Sequence, residues 1–167
     1  MTIASDLPPI VSVVGRSKVG KTTFLVELVA ELAKRGYRVG VIKHSVHAFD
    51  PGQPGKDTWK HARAGAKAVA FASQEQCVVN RQLEREMQID EIALLMGELD
   101  LILTEGYKSA HKPKIEIARL EHGIDLVSPL DELIAVVSDG PLDVDVPEFG
   151  LEDASGVAAL LESQFLR

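Results

Sequence analysis

The chain has 167 residues, of which 46% are hydrophobic, so it can bury one core, and its length predicts a single domain over residues 1–167. It carries 18 basic and 25 acidic residues, and the net charge of −7 disfavours a general nucleic-acid or anionic-membrane surface. The lone Cys77 excludes an intramolecular disulfide, residues 1–10 lack the pattern of a secretion signal, and no apolar run approaches the roughly 20 residues of a membrane span. We therefore expect a cytoplasmic protein without nucleic-acid or membrane partners.

The first predicted elements enclose a phosphate-binding motif. A buried strand at residues 10–14 runs into GRSKVGKT, which matches the P-loop pattern GxxxxGK[ST], and an apolar helix follows at residues 23–32. Glycines let such a loop curl so that its N–H groups face an anion, and the helix directs its positive end to the same point. We predict that the following residues bind a nucleotide phosphate: Gly15, Arg16, Ser17, Lys18, Val19, Gly20, Lys21, Thr22 and Thr23. Lys21 would reach the β- and γ-phosphates, and the hydroxyl of Thr22 would ligate Mg²⁺.

The rest of the chain alternates short apolar runs with helical patterns. This alternation predicts an α/β fold, a P-loop NTPase with a mostly parallel (mixed) sheet flanked by helices. Further strands are predicted at residues 37–43, 66–73, 76–80, 99–104, 114–119 and 133–137, the third and fourth strands of the chain forming a hairpin. Helices are predicted at residues 58–64, 89–96 and 153–165. The connection at residues 44–56 is long for a compact domain, and such loops are usually functional or mobile.

Three acidic residues are weighed as partners of the P-loop. Glu105 ends a hydrophobic strand, which is the Walker B pattern and indicates a catalytic or Mg²⁺-linked role, although many core strands end in a solvated carboxylate. Asp57 opens a helix directly after the long loop, where it can serve Mg²⁺ or water, act as an N-cap contributing about 1 kcal/mol, or do both. Asp100 begins the strand that Glu105 ends, so we expect a capping or surface role for it.

Polar residues at two other strand ends are candidate ligand contacts. Lys43, His44 and His47 follow the second strand, and a phosphate contact, a pterin contact and a solvated loop all stay open for them. Asp139 follows the last core strand, where its carboxylate could accept hydrogen bonds from the N1–H and 2-amino groups of guanine. The alternative for Asp139 is an ordinary Asp-Gly-Pro turn.

Several blocks in a fixed order resemble one known family. After the P-loop come KHSVH at residues 43–47, PGKDTW at 54–59, LTEGYK at 103–108, PKIE at 113–116 and VVSD at 136–139. Together they are similar to the molybdopterin-guanine dinucleotide biosynthesis protein B family, MobB. The resemblance implies a GTP-binding, weakly hydrolytic homodimer that assists the molybdenum cofactor guanylyltransferase, the enzyme that attaches GMP to molybdopterin.

The resemblance also assigns roles by position. The P-loop would hold GTP, Glu105 would serve Mg²⁺ or the attacking water, and Asp57 would lie near the nucleotide. Related dimerising P-loop proteins often carry Lys directly after the first loop glycine, where this chain has Arg16, which could stabilise charge across a dimer interface or be an exposed loop residue.

Two other classes of function stay open at this point. A small-molecule kinase would use the same P-loop, although the sequence offers no Arg cluster for a phosphate lid. A nucleotide-dependent regulator or metallochaperone is motivated by His44, His47 and the long loop.

Overall fold

The computed structural model describes residues 7–45, 57–123 and 125–166, and the chain forms two compact units. The first unit comprises Met1–His44 and Ile89–Arg167, and the second comprises Ser45–Gln88. Whether both belong to the single domain expected from the chain length stays a prediction.

The helices and strands follow each other as expected for an α/β protein. In chain order they are β1 (Ile10–Val14), α1 (Lys21–Lys34), β2 (Val39–Lys43), α2 (Asp57–Arg63), β3 (Ala68–Ala72), β4 (Cys77–Arg81), α3 (Ile89–Ala93), β5 (Leu101–Glu105), β6 (Lys114–Ala118), a short 3₁₀ helix (Leu120–His122), β7 (Leu133–Ser138), β8 (Glu148–Gly150) and α4 (Ala154–Phe165). Among the described residues no helix combines the length and the apolar character that a membrane span requires.

Six strands of the first unit form one sheet in the order β2-β5-β1-β6-β7-β8, and all of its pairings are parallel. Val13 of β1 and Lys43 of β2 both lie opposite Glu105, the last residue of β5. The carboxyl ends of these strands therefore meet at one edge of the sheet, where α/β proteins bind ligands. The predicted α/β fold with a mostly parallel sheet is confirmed.

The core of the first unit lies on both faces of this sheet. Apolar residues of α1 and α4, such as Leu28 and Leu161, pack with Val11, Leu103 and Ile115 of the sheet. A smaller cluster on α3 and a third cluster around β6 and β7 are also present. The central strands read as continuous apolar runs because helices or loops cover them on both sides.

The second unit contains α2 and the antiparallel pair β3 and β4. No residue of α2 is buried, and the strand side chains are exposed or half-buried. Phe71, Val78 and Val79 are 55%, 56% and 62% exposed. A two-stranded ribbon of this kind is marginal by itself, so its apolar surface calls for additional packing.

The predicted elements and the observed ones differ mainly at their ends. Helix α1 begins at Lys21 rather than at residue 23, so the last residues of the P-loop are already helical. Strand β8 was not predicted, because three residues at a sheet edge are too few for a period to be read. Asp153 caps α4 through a 2.8 Å bond accepted from the Gly156 N–H, and Asp100 accepts a 2.7 Å bond from the Arg38 N–H at the amino edge of the sheet.

Candidate functional site

The P-loop joins the carboxyl end of β1 to α1 and lies directly against β6. A Cβ atom at Gly15 would approach the Ile117 carbonyl oxygen to 2.3 Å, so only glycine lets the loop pass this strand so closely. The side chain of Val19 is buried beneath the loop. No side chain caps α1 at Gly20, and the first turn of the helix holds no acidic residue. The amino end of α1 therefore presents the positive end of its dipole without an acidic residue in its own first turn.

Lys21 folds back over the loop. Its Nζ donates to the carbonyl oxygens of Arg16 at 2.6 Å and of Gly15 at 3.2 Å. Burial lowers the pKa of Lys21, the nearby charges of Lys108 and Lys43 lower it further, and Glu105 opposes this shift. The ammonium group is therefore held in a positive, partly desolvated environment that an anion would relieve.

Thr22 and Glu105 meet beside Lys21. The Thr22 hydroxyl donates to Oε1 of Glu105 at 2.8 Å, and Lys43 Nζ lies 3.2 Å from the same oxygen. The Glu105 side chain is only 13% exposed, so this carboxylate lies in a sheltered position at the strand end. The structure thus brings together four sequence-predicted residues: Lys21, Thr22, Lys43 and Glu105.

The remaining residues of the loop are mostly open to solvent. Ser17, Lys18, Thr22 and Thr23 are exposed. Lys18 has a φ of 65°, which is uncommon for a residue other than glycine. The exposed Arg16 donates through Nη2 to the Asp125 carbonyl oxygen at 3.3 Å.

His44 continues β2 at the same edge of the sheet. Its N–H donates to the Glu105 carbonyl oxygen at 3.0 Å, and its ring centroid lies 4.7 Å from that of Tyr107. The backbone of His44 therefore extends the pairing of β2 with β5, and its ring packs on an aromatic side chain. His47 lies outside the described residues, so the predicted pair of histidines stays a prediction.

Asp139 follows β7 and makes two polar contacts. Its Oδ1 accepts a 2.8 Å bond from the Leu120 N–H, and its Oδ2 lies 3.8 Å from Nη1 of Arg119. Asp139 also lines an open groove of about 560 Å³ formed by residues 138–140 and 148–152. The carboxylate has a structural role in the turn, and it borders an open groove.

Sequence reasoning missed Arg119 and Lys108. Nε of Arg119 donates to the Val19 carbonyl oxygen of the P-loop at 3.0 Å, and Lys108 contributes to the positive environment of Lys21. The only available signal was position, because both basic residues come shortly after strands that end at the ligand-binding edge.

Asp57 belongs to the second unit. It is the first residue of α2, its carboxylate lies 3.2 Å from Lys60 Nζ, and its side chain is 88% exposed. In the same helix the Arg63 guanidinium lies 5.3 Å from the centroid of a Trp59 ring. The role assigned to Asp57 beside the nucleotide stays a prediction.

The described residues contain no group of three or more His, Cys, Asp or Glu side chains placed to hold a metal ion. Two hard oxygens that could hold an ion meet beside the P-loop, on the Thr22 hydroxyl and the Glu105 carboxylate. Such a sparse set suits Mg²⁺, which keeps several waters and is usually held by one or two protein oxygens together with substrate phosphates.

Comparison with known proteins identifies the family of the chain. The family described as "Molybdopterin guanine dinucleotide synthesis protein B" (MobB) matches residues 10–139. The chain is 36% identical over 156 residues to the molybdopterin-guanine dinucleotide biosynthesis adapter protein of Escherichia coli, covering 90% of this chain and 89% of that protein. It is 32% identical over 161 residues to the protein of the same name from Haemophilus influenzae, covering 93% and 88%.

Solved structures of the same family also match the chain. The crystal structure of a MobB protein homolog from Bacillus stearothermophilus matches with a TM-score of 0.71 and 26% identity, over 93% of this chain and 97% of that one. Bacillus subtilis MobB matches with a TM-score of 0.73 and 27% identity, over 94% and 98%. The predicted resemblance is confirmed, and the chain belongs to the molybdopterin guanine dinucleotide synthesis protein B family.

Proposed function

We propose that this protein binds GTP with Mg²⁺ at the P-loop and acts as an adapter in molybdenum cofactor biosynthesis, assisting the attachment of GMP to molybdopterin. The observation that carries the nucleotide part is the junction of Lys21, Thr22 and Glu105 at the end of β5. The biosynthetic part is supported by relatives that are named as adapters of molybdopterin-guanine dinucleotide biosynthesis.

Lys21 is the proposed phosphate ligand. In the structure its ammonium is satisfied by two loop carbonyls, which are weaker acceptors than phosphate oxygens. The positive environment that lowers its pKa favours exchange of these bonds for bonds to an anion. The N–H groups of the loop and the amino end of α1 complete the proposed cradle.

Thr22 and Glu105 are the residues that would hold Mg²⁺. Both offer hard oxygens, and they already share a 2.8 Å hydrogen bond. When bound, the ion would neutralise charge on the phosphates. We assign orientation of the attacking water to Glu105 and expect slow hydrolysis, because a missing arginine finger costs about 10³ to 10⁵ in rate in related chemistry. Arg16 of a second copy is the residue that could supply this arginine, and the slow rate is expected for a chain that lacks it.

Guanine recognition is assigned to Asp139. The carboxylate borders the groove of about 560 Å³, and guanine presents two adjacent donors that a carboxylate can accept. Lys43 and His44 are proposed as phosphate or molybdopterin contacts, since both lie at the same edge of the sheet as Glu105.

Two protein partners are proposed. A second copy of the chain would cover the exposed apolar ribbon formed by β3 and β4, in which Phe71, Val78 and Val79 face solvent. The molybdenum cofactor guanylyltransferase is the second partner, as the adapter names of the relatives suggest. We place this activity in the cytoplasm, where the free, exposed Cys77 would remain reduced.

The test compares two lysines of the same helix. Lys21→Ala should weaken binding of Mg²⁺-GTP about 10- to 100-fold in calorimetry, because it removes charge-assisted hydrogen bonds to phosphate. Lys34→Ala, at the far end of α1 with its side chain 82% exposed, should bind GTP normally. Unchanged affinity in Lys21→Ala would contradict the phosphate site.

A second variant tests the metal assignment. Glu105→Gln should reduce the Mg²⁺-dependent part of GTP affinity about 10- to 100-fold, as is typical when a residue supporting a metal site is replaced. In EDTA the same variant should bind GTP at least as well as the unaltered protein, because a negative charge beside Lys21 has been removed. An equal loss of GTP affinity with and without Mg²⁺ would contradict the assignment of Glu105 to the metal site.

A further inference from the structure

The carboxyl end of β6 meets the P-loop at two places. At the start of the loop, Gly15 passes the Ile117 carbonyl so closely that a Cβ atom would lie 2.3 Å from its oxygen. At the end of the loop, Nε of Arg119 donates to the Val19 carbonyl oxygen at 3.0 Å. The loop therefore packs closely against β6 at its start and is hydrogen-bonded, near its end, to the residue that follows β6.

Arg119 is itself held by the neighbouring strand. Oδ2 of Asp139 lies 3.8 Å from its Nη1, while Oδ1 accepts the N–H of Leu120, the next residue after Arg119. The two side chains are 36% and 33% exposed, so water screens this pair only partly. One carboxylate at the end of β7 thus fixes both the backbone and the side chain at the end of β6.

We propose that Arg119 is a positioning residue for the P-loop and that Asp139 holds it in place, so that the residue assigned to the base also sets the affinity for phosphate. This inference rests on the proposed nucleotide-binding function. It adds a second role to Asp139 and a first role to Arg119.

The planarity of the peptide bond explains how Arg119 acts. In a trans peptide the carbonyl and the following N–H point in opposite directions. When Arg119 fixes the Val19 carbonyl outside the loop, the Gly20 N–H is directed to the other side of the same peptide plane. That side is the interior of the loop, where N–H groups bind phosphate.

Loss of this bond would act on a loop that is already strained. Lys18 has a φ of 65°, a sparsely populated conformation that persists only where the surroundings impose it. Without Arg119 the peptide between Val19 and Gly20 becomes free to rotate, so phosphate must order it during binding. Lysine is a poor replacement, because a compact ammonium cannot reproduce a guanidinium whose Nε bonds to Val19 while its Nη1 lies 3.8 Å from Asp139.

The test of this inference uses a phosphate ligand that has no nucleobase. Inorganic tripolyphosphate with Mg²⁺ can occupy the P-loop but cannot contact Asp139 through guanine. We expect Arg119→Ala to weaken binding of tripolyphosphate and of GTP by the same factor, about 10-fold. Asp139→Asn should weaken tripolyphosphate binding by a smaller factor, and the double variant should bind it no worse than Arg119→Ala alone.

The matched control is another Arg–Asp pair at the opposite edge of the sheet. Arg38 lies 3.1 Å from Asp100 before β2 and β5, far from the P-loop end of these strands. Arg38→Ala should leave tripolyphosphate binding unchanged. An equal loss in Arg38→Ala would mean that any broken pair weakens the protein, and it would overturn the inference.

A measurement without ligand separates this inference from the proposed function. NMR relaxation of the backbone amide of Gly20 should give an order parameter near the rigid value of about 0.85 in the unaltered protein. In Arg119→Ala the order parameter should fall below about 0.6. An unchanged order parameter, or an Asp139→Asn variant that loses GTP but not tripolyphosphate affinity, would refute the corresponding half of the inference. If the unaltered protein fails to bind GTP, the proposed function fails, and the order parameter still decides the role of Arg119.

Discussion

The close approach of the P-loop to β6 makes Gly15→Ala an informative substitution. Gly15 has a φ of 144°, and a Cβ atom placed there would lie 2.3 Å from the Ile117 carbonyl oxygen and 3.1 Å from Cγ2 of Val19. Ordinary contacts of a Cβ atom begin at 3.4 Å, so the loop and the strand would have to separate by about 1 Å. Strand β6 is hydrogen-bonded to β1 on one side and β7 on the other, so it cannot yield without loss of these bonds.

The magnitude follows from two separate costs. A positive φ costs an L residue about 1 to 2 kcal/mol, and overpacking against buried atoms costs about 1 to 3 kcal/mol. Gly15→Ala should therefore lower the free energy of unfolding by about 2 to 5 kcal/mol. This is a large share of the roughly 5 to 15 kcal/mol that stabilises a typical domain.

Gly36→Ala isolates the first of these costs. Gly36 follows α1 with a φ of 94°, and a Cβ atom placed there would meet nothing within 4 Å. It should lose only the conformational term of about 1 to 2 kcal/mol. Urea unfolding followed by far-ultraviolet circular dichroism measures both variants, with binding of Mg²⁺-GTP as the second measurement. If Gly15→Ala is no less stable than Gly36→Ala and binds GTP normally, the loop does not depend on its contact with β6.

Three further outcomes are expected from single groups. Asp139→Asn should shift the ratio of GTP to XTP affinity by roughly 10- to 100-fold towards XTP. The reason is that xanthine presents a carbonyl to the new amide donor where guanine presents an amino group. An unchanged ratio would show that Asp139 does not contact the base. Burial and the charge of Lys108 lower the pKa of Lys21, and bound phosphate should raise it again. Calorimetry in buffers of different ionisation enthalpy should therefore detect proton uptake on GTP binding that grows as the pH rises towards the lowered pKa. Binding without proton uptake would exclude Lys21 as the titrating ligand. The hydrogen bond from Lys114 lowers the pKa of Glu132 below its ordinary value of 4.5. The ionised Glu132 therefore stabilises the fold above that pH, and this stabilisation is lost as the pH falls through the lowered pKa. Glu132→Gln should flatten the acid side of the profile of unfolding free energy against pH, and a profile parallel to that of the unaltered protein would refute this linkage.

The phosphate end of the site was predictable because its signals are local. The P-loop is a contiguous motif that combines a strand, a glycine turn and a helix, and each part has its own pattern. Glu105 was predictable for a related reason, since the ends of parallel strands converge on one edge. The structure places it 2.8 Å from the Thr22 hydroxyl, 83 positions away in sequence.

The contact between Arg119 and Val19 was not predictable in the same way. It joins residues 100 positions apart, and it depends on the order of β1, β6 and β7 in the sheet, which no local pattern encodes. For the apolar ribbon of the second unit, the elements were predictable but their exposure was not. Its two strands were predicted from their patterns, but their exposure depends on packing that a single sequence does not specify.

The PKIE block illustrates why a residue that marks a family need not touch a ligand. Lys114 and Glu116 are fully buried charged residues on one face of β6. Lys114 donates to Glu132 and to the Ala110 carbonyl oxygen, and Glu116 accepts the N–H groups of Val127 and Ser128 at 2.7 and 2.9 Å. Buried charges are tolerated only when such partners satisfy them, and a satisfied network fixes the elements that it joins.

The opposite face of β6 places Ile115 and Ile117 in the main core. A strand held by buried polar contacts on one face and by apolar packing on the other has little freedom to shift. Its carboxyl end carries the Ile117 carbonyl beside Gly15 and, one residue beyond the strand, the guanidinium of Arg119. The buried charges of β6 therefore bear on the P-loop indirectly, because they fix the strand on which the loop is shaped.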